Sequence, residues 1–95
     1  MTYIRLSVVK ARPGHEERAV EILQAISAAT ADTQGWQANY VLRPHDGSGD
    51  IARISIYEDE ASAEREAATP TVMALRSELN LIVEPGHRER GLFSV

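Results

Sequence analysis

The chain has 95 residues, 43% of them apolar and 25% charged, which suits one compact domain over 1–95 and argues against intrinsic disorder. Ten Lys and Arg against 14 Asp and Glu give a net charge of −4, and one lysine (Lys10) with scattered arginines makes no basic patch for nucleic acid. The absence of cysteine removes disulfides, thiolate metal sites and a cysteine nucleophile, and the lack of a long apolar run makes a cytoplasmic protein away from membranes the expectation.

From Tyr3 to Lys10, Ile4, Leu6 and Val8 alternate with Arg5 and Ser7, the period of a strand. Pro13-Gly14 ends it. A helix is predicted over His15–Ala31, because Ala19, Ile22, Leu23, Ile26 and Thr30 form one stripe and Glu16 and Glu17 occupy the first turn. Gly35 is the expected breaker after it. Trp36–Leu42 is rich in strand formers, and Pro44 to Gly49 is a turn cluster. A third strand runs over Ile51–Tyr57, where Ile54 and Ile56 alternate with Arg53 and Ser55. Asp59 caps a short helix over Glu60–Ala68, and Thr69-Pro70 restarts a helix that ends near Asn80, with Val72, Leu75 and Leu79 on one face. Leu81 to Val83 reads as extended, Pro85-Gly86 as a turn, and Arg88–Val95 as a final strand.

The order β-α-β-β-α-β predicts an α+β, ferredoxin-like split βαβ fold. Its helices cover one face of a four-stranded sheet. The first strand offers Ile4, Leu6 and Val8 to one face and Tyr3 and Val9 to the other, so both faces are partly apolar. A homodimer packed sheet to sheet would cover the second face.

Three runs of residues carry a family likeness: Arg12-Pro13-Gly14-His15-Glu16-Glu17 ahead of the first helix, the Gly35-Trp36 strand start, and Ile56-Tyr57-Glu58-Asp59-Glu60-Ala61-Ser62-Ala63 followed by Ala68-Thr69-Pro70. In this order and spacing they resemble the antibiotic biosynthesis monooxygenase family of dimeric α/β-barrel proteins, over nearly the whole chain. The resemblance implies a dimer whose two sheets close a barrel, with a cleft between sheet and helices in each subunit. Activities in the family include cofactor-independent oxidation of polycyclic phenols, oxidative haem degradation and isomerisation of small phosphorylated ketoses. Several family positions differ here. The first-strand Asn of the haem-degrading members falls on Ser7, their second-helix Trp on Glu66 and their haem-ligating His on Arg76. A family carboxylate falls on Ser55 and a His after the Thr-Pro step on Thr71, while the aromatic slot is kept as Tyr57. These departures argue against haem degradation and weaken transfer of the ketose-isomerase mechanism.

Arg5 with Ser7, and Arg53 with Ser55 and Tyr57, share strand faces. Such faces form a cationic, hydroxyl-bearing wall suited to an enolate, phenolate or carboxylate. The alternative is a solvated arginine, or one paired with Glu58 or Glu66. Glu66 is the candidate base, set against a reading of Glu58 to Glu66 as a solvated acidic face. Arg76 is a candidate for an anionic ligand, and Trp36, Tyr40 and Tyr57 for stacking on a ring. Arg5 and Glu66 are thus the candidate catalytic residues, with Ser7, Trp36, Tyr40, Arg53, Tyr57 and Arg76 as substrate contacts. His15, His45 and His87 show no metal-ligand spacing, and His87 is a weaker candidate base. Gly47-Ser48-Gly49 is a turn rather than a phosphate loop, because no helix follows it. The leading expectation is a homodimeric, cofactor-independent oxygenase-like protein acting on a small aromatic or polyketide-like molecule, with no metal. The alternatives are a non-enzymatic small-molecule-binding dimer and an isomerase or tautomerase of a small carbonyl compound.

Overall fold

A computed structural model describes residues 2–95. The elements are β1 (Tyr3–Lys10), α1 (Glu16–Thr30), β2 (Trp36–Leu42), β3 (Asp50–Tyr57), α2 (Glu60–Ala67), α3 (Pro70–Asn80) and β4 (Arg88–Phe93). The sheet has the order β2-β3-β1-β4, and all three pairings are antiparallel. This is the ferredoxin-like arrangement that the element order predicts.

Local chemistry sets the helix ends. Asp59 caps α2, its carboxylate accepting from the backbone N–H of Ser62 at 2.8 Å and from the Ser62 hydroxyl at 2.7 Å. Thr69 caps α3 through the Val72 N–H, and Pro70 stands in the first turn, where its missing N–H costs nothing. Two expectations change. α1 stops at Thr30, and Asp32, not Gly35, is the first residue beyond it with positive φ (61°). Gly35 lies at the entry to β2 with φ 86°. The segment Leu81 to Val83 forms a single bridge, Val83 to Ala11, rather than a strand.

Helices α1, α2 and α3 all lie on one side of the sheet. α1 packs on β2 and β3 and along α3, and α2 packs on β1 and β3. The opposite face carries Ile4, Leu6, Val8, Ile54, Ile56 and Leu92, with Tyr40 and Leu42 exposed at one end. Among the described residues no helix is long and apolar enough to cross a membrane.

The helix-facing side is built in rows that cross the strands. The first is aromatic: Trp36, Tyr57, Tyr3 and Phe93 are cross-strand neighbours in turn, and the Tyr3 and Phe93 rings are 5.1 Å apart. Next come Asn39, Ser55, Arg5 and Gly91, then Val41, Arg53, Ser7 and Glu89. Beyond them Ile51 and Val9 join the main core. The apolar interior is therefore in two parts. The larger gathers Val9, Ile22, Leu23, Ile26, Ile51, Val72 and Leu79, and the smaller holds Tyr3, Tyr57 and Ala63 with Trp36 against them. A polar belt separates the two.

Candidate functional site

Core positions in mid-strand are ordinarily apolar, because burying a polar group without a partner costs about 1–3 kcal/mol. This sheet instead places Arg5, Ser7, Arg53, Ser55 and Asn39 there. Arg53 is the most consequential. Its side chain is beneath α1, and the residue is only 5% exposed. Its Nε donates to the Ser27 hydroxyl at 2.9 Å, and one terminal nitrogen donates to Thr30 Oγ1 at 3.2 Å and Asn39 Oδ1 at 3.4 Å. All three partners are neutral, and among the described residues no carboxylate forms an ion pair with it. Burial pushes its pKa down, against the opposing influence of the Tyr57 phenol. A guanidinium stays charged regardless, so the belt contains a buried positive charge with no carboxylate at ion-pair distance, Glu89 acting on it only at longer range.

Beside it, Ser55 is fully buried and its hydroxyl has no hydrogen-bond partner. The indole N–H of Trp36 is likewise buried and unpartnered. Both groups are donors. Two orphaned donors and a cation without a contact ion pair on one side of the sheet are the chemistry of a seat for an anionic or strongly accepting group.

The belt's other arginine is neutralised. Arg5 donates to Glu64 at 2.9 Å and lies 3.8 Å from Glu89, whose carboxylate takes a two-pronged contact from Arg76 at 3.0 and 3.3 Å. This chain of charges ties α2, β1, β4 and α3 together across the belt. Burial lowers the Arg5 pKa, but hydrogen bonds to Tyr3 and Glu64 outweigh it and the net shift is upward. Gly91 makes room for Tyr3: a Cβ there would lie 2.9 Å from the phenol Cζ, so the bare backbone lets the ring lie over β4. For Glu89, burial pushes the carboxyl up, but Arg76, Arg5 and His87 outweigh it and hold it below its ordinary value. A carboxylate with a depressed folded pKa stabilises the fold above its unfolded pKa, and that contribution is lost as pH falls through the folded value. Glu89→Gln should therefore cost about 1 kcal/mol or less near neutrality, and the difference from the parent should vanish in acid. Thermal unfolding of both proteins between about pH 7 and pH 2 checks it, the window lying around and below the usual carboxylate range.

Ser7, 8% exposed, has its hydroxyl 3.0 Å from His87 Nε2. His87 is itself exposed, and it also lines a recess of about 260 Å³ between Arg12, Asn80 and the turn from Val83 to His87.

The structure thus gathers Arg5, Ser7, Arg53, Ser55 and Arg76 around one belt, with Tyr57 and Trp36 in the adjoining aromatic row. Arg5 meets Glu64 and Glu89 rather than Glu58 or Glu66, and Arg53 meets neither. Glu66 is half-buried on α2 and makes no hydrogen bond or ion pair to a belt residue among the described residues. Tyr40 is not brought to the belt. It pairs with Ile54 on the opposite face and is 54% exposed, one residue out of phase with Asn39. Asn39, Glu64 and Glu89 are the belt residues that sequence reasoning passed over. Asn39 had a usable signal, an amide in mid-strand between Ala38 and Tyr40; the glutamates had none, lying in a charge run and in a strand of unreadable register.

The fold is shared with solved structures. The chain is similar over 100% of its length to Rv0793 from Mycobacterium tuberculosis, covering 96% of that chain at 14% identity with a TM-score of 0.90. It is similar over 98% of its length to a mutant form of SnoaB, a cofactor-independent oxygenase from Streptomyces nogalater, covering 92% of that chain at 14% identity and a TM-score of 0.87. A structure named antibiotic biosynthesis monooxygenase matches over 100% of this chain and 99% of its own, at 14% identity and a TM-score of 0.86. The names of the second and third agree with the family that the sequence resembles, and at these identities the shared property is the fold. No family model and no curated protein matches the sequence.

Proposed function

We propose that the protein is a cofactor-independent monooxygenase-like enzyme that holds the oxyanion of a small aromatic or polyketide-like molecule against the polar belt. The observation that carries this reading is the buried Arg53 with only neutral partners, beside the unpartnered Ser55 hydroxyl. In this reading Arg53, Ser55 and Arg5 bind the oxyanion, with Ser7 beside them, and Arg76 shares Glu89 with Arg5. Trp36 and Tyr57 flank the ring, and Glu66 and His87 are the candidate bases. A preorganised cationic seat favours the deprotonated, electron-rich form of a phenol, which is the form that gives electrons to oxygen. A ring CH2 then becomes a carbonyl while O2 supplies that carbonyl oxygen and one water.

Oxygen uptake with hydroxylated anthrones and hydroquinones tests the reading. Quinone formation matched by oxygen consumption is expected, with a loss of about 10²-fold or more in Arg53→Met if that residue stabilises the transition-state charge. The Ser7–His87 pair beside oxyanion donors also suits an isomerase or tautomerase, which needs only proton transfer. Product without oxygen consumption would select that reading. Ligand-induced stabilisation without turnover would select a binding module, since a ligand at about 100 times its Kd adds roughly 2.7 kcal/mol.

The same proposal includes a homodimer through the helix-free face, supported by its continuous row of Ile4, Leu6, Val8, Ile54 and Ile56 and by the dimeric habit of the family resembled. Ile54 pairs with Leu6 on one side and Tyr40 on the other, at the middle of that face. Ile54→Glu should convert a dimer to a folded monomer, read by native mass spectrometry and circular dichroism. A dimer that survives this change would move the interface elsewhere.

A further inference from the structure

The proton released when a bound phenol ionises needs a way out of a buried, cationic belt. Ser7 touches both worlds. Its backbone neighbours across the sheet are Arg53 on β3 and Glu89 on β4, and its hydroxyl reaches His87 Nε2 at 3.0 Å. The direction of this contact follows the imidazole tautomer: where Nε2 carries no proton, Ser7 donates and Nε2 accepts, which is the orientation that makes a hydroxyl oxygen basic. His87 in turn is exposed, lines the recess at the α3–β4 turn, and lies close enough to Glu89 for the two charges to interact.

We propose that Ser7 and His87 form the proton exit of the site, a role resting on the oxyanion-seat reading above. The substrate O–H or C–H proton passes to Ser7 Oγ while the Ser7 proton passes to His87 Nε2. One proton leaves the substrate, one enters and one leaves Ser7, and one arrives at His87. No electrons change hands. The products are a substrate anion facing Arg53 and Ser55 and an imidazolium facing water. Glu66, without a contact to the belt, has no part in this path.

The test uses p-nitrophenol, whose anion absorbs visible light, with nitrogen-15 NMR of the three histidine rings. On adding the probe to the full-length protein, the nitrophenolate band grows beyond that of the free probe at the same pH and the His87 ring shifts to the imidazolium position, while His15 and His45 stay put. Ser7→Ala still binds the probe through Arg53, but its His87 ring no longer shifts, and Ser7→Thr restores the shift. If the phenolate forms and His87 is unmoved, or if Ser7→Ala responds like the parent, the exit is overturned and the oxyanion seat stands. If the probe does not bind at all, seat and exit fall together. The parent and Ser7→Thr decide the matter if Ser7→Ala does not fold.

Discussion

Arg53→Met is expected to leave the free protein's stability within about 1 kcal/mol of the parent and to weaken binding of an anionic ligand by about 10- to 150-fold. The stability side follows from what surrounds the guanidinium. Breaking a buried ion pair costs about 3–5 kcal/mol, because the surviving charge is left without compensation. Arg53 has no contact ion pair to break: its acceptors are the Ser27 and Thr30 hydroxyls and the Asn39 carbonyl. Thr30 Oγ1 keeps its contacts with Asn39 and with the Ser27 carbonyl, and the Ser27 hydroxyl is free to rotate. Their loss is offset by removing a charge whose burial costs several kcal/mol. The binding side follows from a charge-assisted hydrogen bond, worth about 1.5–3 kcal/mol. Calorimetric titration with a phenolate or carboxylate, together with thermal unfolding, reads both. A loss of 3–5 kcal/mol in stability with unchanged binding would make Arg53 a structural strut and remove the main support for the site.

The fold was legible because its signals are local and periodic. Alternation in Tyr3–Lys10 and Ile51–Tyr57, the α1 stripe and the Asp59 and Thr69 caps each fix an element within a few residues. The pairing of Arg5 with Ser7 and of Arg53 with Ser55 on common faces was legible for the same reason, since i and i+2 share a side of any strand. What was not legible depends on register and on helix rotation. Both faces of β1 carry apolar residues, so nothing local says that the Arg5 side lies under the helices. Asn39 and Tyr40 differ by one position, and an irregularity between Trp36 and Ala38 decides which of them enters the belt. On α2, Glu64 rather than Glu66 reaches Arg5; the choice between two carboxylates 200° apart on a helix is made by how the helix docks, not by its own sequence.

That docking rests on Gly35, and Gly35→Ala should be among the most destabilising single-methyl changes in the protein, by about 2–5 kcal/mol. Two costs add. At φ 86° a side chain is strained by roughly 1–2 kcal/mol. The new Cβ would also overlap the Ser62 hydroxyl and lie 2.6 Å from Ser62 Cβ, and overpacking a filled interior costs about 1–3 kcal/mol. Ser62 has nowhere to retreat. It is fully buried, its N–H and hydroxyl both bond Asp59, and Arg65 donates to its oxygen, so moving it undoes the cap of α2. For a domain of this size the loss corresponds to a fall in Tm of roughly 8–40 °C, measured by thermal unfolding. Combining Gly35→Ala with Ser62→Gly should recover the steric part and leave the backbone part, a coupling that a double-mutant cycle isolates. If the single change is harmless, α2 tolerates displacement and the seat of Glu64 against Arg5 is softer than the packing implies. If the double change recovers stability, the close approach of Gly35 to Ser62 is what holds the acidic helix over the arginine belt. The small contact at Gly35 would then govern the charge balance of the site.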